Sequence, residues 1–221
     1  MIPHYNFWVS PCFIEFNKNI LFCREISIKL IRIIMETKNI RIYLPEGEFE
    51  AELQYFSDND RETLWRIYRI WRSLCDELQA INSRAVNLPE GLSESAFALE
   101  MGTPRIQSSI SGANTSFDCF DVSNNERLQI KACSVLPDLT SFGPKSVWDK
   151  LYFCDFYRQG LWDGTFDIYL IENEKIYNYS VNDNQTFRDQ QIQGKRPRFS
   201  IYSKIIQKHL IRPIKTGKLG K

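Results

Sequence analysis

The sequence predicts an α/β (α+β) domain in which a central mixed β-sheet is flanked by helices. Three patterns predict this fold: a long amphipathic helix in the first half, a β-hairpin near the centre and two strand-like runs after it. The chain has 221 residues, of which 43% are hydrophobic, so it can bury one substantial core. We therefore expect one main domain and not two.

Three parts are expected within that domain, which covers residues 35–221. They are a helical N-terminal part at 35–86, a catalytic core at 87–194 and a basic C-terminal segment at 195–221. Residues 1–34 are expected to be an N-terminal arm or an over-extended start, because Met35 is followed by a more ordinary opening, Glu-Thr-Lys-Asn.

Several functional classes are disfavoured by composition. No run reaches the ~20 apolar residues that cross a bilayer, and the apolar stretch at 20–35 contains charged residues and lacks a signal-peptide cleavage site. We expect no membrane contact and a cytoplasmic location. The six cysteines are scattered and the chain has only two histidines, which predicts reduced thiols and no zinc site. Catalysis should then depend on carboxylates and lysine.

Two helices are expected before the hairpin. From Asn59 to Ile81 apolar residues recur at steps of three and four, and Asn59 with Glu62 resembles a capping box. Arginines 66, 69 and 72 of this helix form either a solvated face or a ridge that contacts phosphates. A shorter helix is expected from a Ser93 cap through Leu99, ending near Gly102. Glu94, in its first turn, either complements the helix dipole or serves a metal site.

The central hairpin consists of two apolar strands around a polar turn at Asn124-Asn125. A turn centred there places Asp118 opposite Lys131, and Phe120 opposite Gln129. Because side chains alternate along a strand, Asp118, Gln129 and Lys131 would share one face. An odd-length loop would instead bring Asp121 to that face, so both aspartates stay candidates.

Later elements complete the expected sheet. Strands are predicted at 151–156 and 165–172 with a turn at 162–164 between them, a fifth strand at 176–181 and a closing helix at 200–211. From Lys195 onward there are nine Lys or Arg and no Asp or Glu. This basic segment is either a solvated tail or a segment that contacts phosphates.

The three hairpin residues suit phosphodiester hydrolysis. Mg²⁺ prefers oxygen ligands, lowers the pKa of bound water and neutralises charge on a phosphate. Asp118 would anchor the metal, the Gln129 carbonyl would complete the site, and Lys131 would act on the water or the phosphate. Glu94 would reach a second metal position. On spacing alone, an Asp that faces a Lys across a hairpin is more often a plain cross-strand ion pair.

From Asn87 onward the chain resembles type II restriction endonucleases of the PD-(D/E)xK superfamily, and among them the small group that cleaves GCNGC. The resembling segments are residues 87–94, 112–118, 129–131, 138–144 and 193–198. This resemblance implies a mixed sheet flanked by helices, a homodimer on a palindromic site, Mg²⁺-dependent cleavage of double-stranded DNA and a cognate DNA methyltransferase as a functional companion.

Carried over by position, the resemblance makes Asp118 a metal-binding residue and Lys131 the catalytic lysine. Gln129 stands where the family usually has Glu or Asp, and Glu94 matches a helix glutamate that some members use. Two departures are that no proline precedes Asp118 and that Gln129 is uncharged. The second departure keeps a non-cleaving DNA-binding module open, beside an unrelated α/β protein with a structural Asp–Lys pair.

Candidate DNA contacts lie in two segments. Lys145 and Ser146 follow the loop at 142–144, and Lys195, Arg196 and Arg198 begin the basic segment. Arg and Lys can pair with guanine in the major groove. More of these residues should contact phosphates than bases, because backbone contacts are the commoner class.

Overall fold

An eight-stranded sheet forms the centre of the structure, a computed structural model that describes residues 35–220. The N-terminal arm expected at 1–34 lies outside the described residues. In sheet order the strands are β1 (Glu36–Leu44), β2 (Gly47–Tyr55), β3 (Arg105–Ile106), β4 (Cys119–Asp121), β5 (Glu126–Cys133), β7 (Lys150–Asp155), β8 (Thr165–Ile171) and β12 (Lys215–Lys218). β5 and β7 run parallel, and the other neighbours in this sheet are antiparallel. The expected mixed sheet is confirmed.

Four short strands form two small ribbons outside this sheet. β6 (Thr140–Ser141) pairs with β11 (Arg198–Phe199), and β9 (Ser180–Asn182) pairs with β10 (Gln185–Thr186). The first ribbon joins two segments that are far apart in the chain. It places the loop after β6 beside the start of the basic C-terminal segment.

Helices cover both faces of the large sheet. They are α1 (Arg61–Ala80), α2 (Glu90–Met101), α3 (Asn173–Tyr177), α4 (Phe187–Ile192) and a π-helical segment (Tyr202–Gln207). Successive side chains of β7 point to opposite faces of the sheet, so this strand packs against helices on both sides. Tyr152 and Cys154 pack with α1 and α2, whereas Leu151 and Phe153 pack with α4 and the π-helical segment.

The two helices before the hairpin agree with the sequence except at one end. α1 matches the predicted helix closely, and Gly102 ends α2 in the left-handed conformation, with φ of 69°. α2, however, begins at Glu90 after Pro89, and Ser93 lies inside it with its hydroxyl donating to the Glu90 carbonyl at 2.9 Å. Glu94 is therefore in the second turn, beyond the reach of a helix-dipole role, which falls off after the first turn.

Two other segments differ from the predictions. Residues 36–55, expected within a helical part, form the β1–β2 hairpin, in which Ile42, Leu44, Ala51 and Leu53 are buried on one face. The strand expected at 176–181 is mostly helix α3 and a turn, followed by the short strand β9. Ile176 is nevertheless buried in the core, and it anchors the short helix α3 there.

The basic C-terminal segment is ordered in the described part of the chain. Its last described residues include β12, which pairs with β8 from Lys215 opposite Ile168 to Lys218 opposite Thr165. The closing helix is shorter than expected and has π geometry. A Cβ atom built on Gly217 would lie 2.5 Å from Glu100 Cγ and 2.7 Å from Phe166 Cζ, so the strand is packed tightly against the body.

Two expectations on composition can be compared with residues 35–220. The four cysteines in that range, Cys75, Cys119, Cys133 and Cys154, are free thiols and buried, as expected. No helix in that range is long and apolar enough to cross a membrane.

Replacing Gly217 tests the docking of β12. We expect Gly217→Ala to lower the free energy of unfolding by about 2 kcal/mol, because overpacking a filled site forces neighbours to shift. Gly91→Ala is the matched control, since its Cβ would meet only Arg105 Nη2 at an ordinary 3.7 Å. Urea unfolding of both variants measures the difference. Equal stabilities would show that β12 is not held in this position.

Candidate active site

The register of the central hairpin differs from the predicted one by two residues. Phe120 pairs with Arg127 and Asp121 with Glu126, so the turn is centred on residues 123 and 124. The predicted opposition of Phe120 and Gln129 is wrong, and so is the turn centre that placed Asp118 opposite Lys131. The cause is Asp121, whose carboxylate accepts hydrogen bonds from the backbone of Ser123 at 3.0 Å and Asn124 at 3.3 Å. This side chain fixes a tight turn one residue earlier.

A shift of two residues leaves the faces of the strands unchanged. Asp118 therefore stays beside Gln129, and Asp121 remains committed to the turn. The turn bonds also hold the pKa of Asp121 below its ordinary value despite partial burial. Of the two candidate aspartates, the structure brings Asp118 to the side chain of Gln129.

Asp118 occupies the point where β4 and β5 separate. Its N–H donates to the Leu128 carbonyl at 3.0 Å, although Leu128 is already paired with Cys119. One oxygen of the Asp118 carboxylate accepts the Ile130 N–H at 2.7 Å and also a hydrogen bond from Gln129 Nε2. The Asp118 side chain thus replaces the backbone acceptor that β4 would have supplied to Ile130 if it extended further toward its N-terminus.

The Asp118 carboxylate is in an unfavourable electrostatic environment. Burial raises its pKa to about 7, and the nearby Glu94 carboxylate adds to that rise. Lys131 and the Ile130 N–H act in the opposite direction but do not offset it. Two carboxylates with too little positive charge between them are typical of a site that binds a cation.

Glu94 reaches this site from α2 and is held by a residue that the sequence did not reveal. Arg105 Nε donates to Glu94 Oε2 at 2.6 Å, and the side chains are 25% and 12% exposed, respectively. Arg105 belongs to β3, a strand of two residues that pairs with both β2 and β4. So short a strand has no detectable alternation in a sequence, so its arginine could not be singled out.

Lys131 is not paired with Asp118. No carboxylate of residues 35–220 lies within ion-pair distance of its Nζ, which instead stands 5.4 Å from the centre of the Phe142 ring. The cross-strand ion pair between Asp118 and Lys131, which was the purely structural alternative, is therefore not formed among the described residues. The ammonium is held by an aromatic face and keeps its hydrogen-bond donors for another partner.

The predicted DNA-contacting segments meet beside this site. The Phe142 N–H donates to the Pro197 carbonyl at 3.1 Å, which brings the loop after β6 to the basic segment. Gln191 Nε2 binds the carbonyls of Gly143 and Ser146, and Asn114 Nδ2 donates to the Lys145 carbonyl at 2.9 Å. The chain that leads into Asp118 is thereby tied to the loop that carries Lys145.

Exposure separates the five candidate DNA contacts. Lys145, Lys195, Arg196 and Arg198 are exposed, whereas Ser146 is partly buried and its N–H closes a turn on the Gly143 carbonyl at 3.2 Å. The two segments that carry these four basic side chains meet at Phe142, whose N–H bonds the Pro197 carbonyl and whose ring lies 5.4 Å from the Lys131 amine. The four exposed side chains make up the basic surface of these segments.

Oxygen donors are the groups available to a metal here. Asp118 and Glu94 supply carboxylates, and Gln129 supplies an amide that can turn its carbonyl oxygen toward an ion. No cluster of three His, Cys, Asp or Glu side chains is present in residues 35–220, so the amide is needed to complete a set of three. A mixed carboxylate and amide set fits a hard divalent cation.

Comparison with known proteins identifies the family. A sequence model described as Bsp6I restriction endonuclease matches residues 56–208. The chain is also 31% identical over 152 residues to the type II restriction enzyme Bsp6I of Bacillus sp. (strain RFL6). The aligned region covers 67% of this chain and 82% of that enzyme. The chain belongs to the Bsp6I restriction endonuclease family. No solved structure matches it significantly.

Membership in the Bsp6I family confirms the predicted type II restriction endonuclease, a sequence-specific DNA endonuclease. The match begins at residue 56, so it includes α1, which the resemblance noticed in the sequence did not cover. Type II restriction endonucleases generally use a divalent metal, and the donor set around Asp118 is consistent with one.

Asp118→Asn tests the electrostatic cost of the site. The folded pKa of Asp118, about 7, exceeds its unfolded value of 3.8, so ionising this group destabilises the fold as pH rises between those values. We expect the variant, without metal, to be about 4 kcal/mol more stable than the wild type at pH 8 and less than half of that at pH 5. Thermal unfolding at both pH values measures this.

Asp149→Asn is the control with the opposite sign. Hydrogen bonds from Arg127 hold the pKa of Asp149 below its ordinary value of 3.8. The charge of Asp149 therefore stabilises the fold at pH values above 3.8, and this stabilisation is lost as the pH falls through the lowered pKa. This variant should be less stable than the wild type at pH 8. If Asp118→Asn also lowered stability there, Asp118 would be a structural residue.

Proposed function

We propose that this endonuclease cleaves double-stranded DNA at a short palindromic site as a homodimer, with Mg²⁺ as its cofactor. One observation carries the proposal. The Asp118 carboxylate bonds the Gln129 amide, while Lys131 on the same strand forms no ion pair with any described residue. A carboxylate and an ammonium that lie close together without forming an ion pair suit this reaction, because the carboxylate can bind a metal ion and the ammonium can bind the phosphate of the substrate.

Asp118, Glu94 and Gln129 would hold the metal. Asp118 has one carboxylate oxygen fixed by Ile130 and Gln129, which leaves the other to bind an ion. Arg105 fixes one oxygen of Glu94 in the same way. Bound Mg²⁺ supplies an activated water and neutralises charge on the scissile phosphate.

Gln129 is suited to this position because the site already holds two carboxylates. A third would raise the pKa of Asp118 further, since the Glu94 charge already raises it. A neutral amide keeps an oxygen ligand without that repulsion. The weaker electrostatic attraction for the metal is consistent with a non-cleaving DNA-binding module as the second candidate function.

Lys131 would act on the reacting groups. Its ammonium can donate to the attacking water or to a nonbridging phosphate oxygen, and either bond stabilises charge that grows in the transition state. The Phe142 ring holds the amine on one side. Its attraction for the positive charge would keep the amine directed toward the phosphate.

Lys145, Ser146, Lys195, Arg196 and Arg198 would contact DNA. The exposed basic residues would mainly bind phosphates, and the partly buried Ser146 would hold the loop in place. A palindromic site presents two equal halves, which a two-fold symmetric homodimer reads with two copies of one surface. The recognition site expected from the family resemblance is GCNGC.

Cutting at a short site endangers the host chromosome, so the proposal includes a cognate DNA methyltransferase as a functional companion and not as a stable subunit. The proposed location is the cytoplasm, where the host chromosome and incoming DNA are present. Both statements follow from the proposed activity.

Matched aspartate variants test the active site. We expect Asp118→Asn to lower the rate of plasmid cleavage with Mg²⁺ at least about 100-fold, because loss of a charged ligand removes several kcal/mol of transition-state stabilisation. Lys131→Ala should cause a loss of similar size. Asp121→Asn, in the same hairpin, should stay within about threefold of the wild type, since Asp121 only closes the turn.

The outcome decides between the two candidate functions. Discrete fragments that vanish with Asp118→Asn and Lys131→Ala support cleavage at this site, and sequencing their ends gives the recognition site. Salt-sensitive DNA binding with an intact plasmid would instead indicate the non-cleaving module. Cleavage abolished by Asp121→Asn alone would contradict the assignment of Asp118.

The basic segment can be tested by salt dependence. We expect the double variant Arg196→Ala and Arg198→Ala to reduce the slope of log affinity against log salt by about 2, because each phosphate contact contributes about one unit. Lys38→Ala, at the far edge of the sheet in β1, should leave the slope unchanged. Fluorescence anisotropy with a labelled duplex in Ca²⁺ measures both, and equal slopes for all three proteins would exclude these phosphate contacts.

A further inference from the structure

An apolar stripe runs along α1 beside its buried face. Ile67, Ile70 and Leu74 are 38%, 63% and 48% exposed, and Ile81, just after the helix, is 73% exposed. At about 100° per residue these four side chains fall within an arc of about 60°. They form a straight strip along one side of the helix, which we call the α1 stripe.

The α1 stripe is separate from the residues that bind α1 to the sheet. Leu64, Tyr68, Trp71 and Cys75 already form a complete buried face, with exposures of 5% or less. A helix on the surface of a domain needs one such face. Within residues 35–220 nothing covers the second strip, and aligned exposed aliphatic residues commonly mark a contact with another molecule.

Two opposite charges border the α1 stripe on one side. Arg66 and Glu77 lie about 20° apart around the helix, on the edge of the stripe away from the core. Neither forms an ion pair with another residue of the described chain. Arg66 is six residues before Arg72 and Glu77 is five residues after it, so the two charges are almost equally far from Arg72.

The other arginines of α1 have partners within the chain. Arg72 pairs with Asp76 at 2.5 Å and stands 4.1 Å from the centre of the Trp162 ring, and Arg69 lies 5.9 Å from the Trp65 ring. Both are directed to the opposite side of the helix from the stripe. Of the three arginines predicted to form a solvated face or a phosphate-contacting ridge, Arg66 alone lacks such a partner within residues 35–220.

We propose that the α1 stripe is the homodimer interface, where α1 packs antiparallel against α1 of a second copy of the chain. A two-fold axis near Arg72 would place Ile70 and Leu74 of both copies at the centre. Arg66 would then meet Glu77 of the partner subunit on both sides of the axis. This inference rests on the homodimer of the proposed function and gives it a location.

A second copy fits better than an unrelated partner because the surface is self-complementary. An isologous contact requires one patch to match its own two-fold copy. The order of charges along α1, basic near the start and acidic near the end, meets that requirement only when the helices are antiparallel. The α1 stripe shares no residue with the Asp118 site or with the basic surface, so dimerisation leaves both free.

Sedimentation equilibrium of the full-length protein over a range of concentrations tests the interface. We expect the wild type to be a dimer and Ile70→Glu to weaken dimerisation by at least about 50-fold, because a charge would be buried at the centre of the contact. Leu74→Ser should weaken it less, in the same direction. Arg69→Glu is the matched control on the other side of α1 and should dimerise like the wild type.

Charge exchange tests the antiparallel arrangement. We expect Arg66→Glu and Glu77→Arg each to weaken dimerisation by about five- to tenfold, since like charges would then meet across the contact. The double variant should return to within about twofold of the wild type. Circular dichroism checks that every variant keeps its secondary structure.

Each result has one meaning. A wild type that is monomeric at all concentrations overturns both the interface and the homodimer, while cleavage by that monomer would leave the active-site assignment standing. A dimer that Ile70→Glu does not weaken overturns the interface alone. Failure of the double variant to recover overturns the antiparallel arrangement. Absence of cleavage by an intact dimer would count against the proposed function and not against the α1 stripe.

Discussion

The hydrogen bond from the Ile130 N–H to the Asp118 carboxylate is the contact on which the arrangement of the site depends. β4 begins at Cys119, opposite Leu128, so no residue of β4 lies opposite Ile130 and the Ile130 N–H would otherwise be an unsatisfied donor, at a cost of about 1–3 kcal/mol. Asp118 satisfies that donor and in doing so brings its carboxylate to Gln129 and within the field of Glu94 and Lys131. Backbone geometry thus places a charge where solvation alone would not favour it.

Helix α2 and strand β3 complete the site from the other direction. The Arg105–Glu94 pair links them, and Arg105 is the cation that keeps Glu94 in place beside a second carboxylate. The two acids of the site therefore differ in their surroundings. Glu94 has a counter-ion within the fold, whereas Asp118 has only weak compensation and a raised pKa. The uncompensated acid is the one with the stronger tendency to bind an added cation.

Local patterns predicted the mixed sheet, α1 and the face shared by Asp118, Gln129 and Lys131, because these depend on periodicity. The exact pairing in the hairpin did not follow, since the Asp121 side chain sets the turn. β3 is two residues long, and the 36–55 hairpin has short runs of buried residues, so neither was predicted. Gly217 is the one buried residue of β12, and Leu219 is buried just after it. The basic sequence of this strand indicates a tail until β8 supplies a partner.

Phe142 is shared by two parts of the molecule. Its ring supports the Lys131 amine, and its N–H bonds the Pro197 carbonyl between Arg196 and Arg198. The Phe142 ring also stacks on Phe199, the residue after Arg198, with the ring centres 6.1 Å apart. Removing this ring would therefore disturb the reacting amine and the phosphate-contacting segment together, so kinetic and binding effects of such a variant could not be assigned separately. Experiments that separate DNA recognition from catalysis in this enzyme therefore need substitutions at Lys131 or in the basic segment, and not at Phe142.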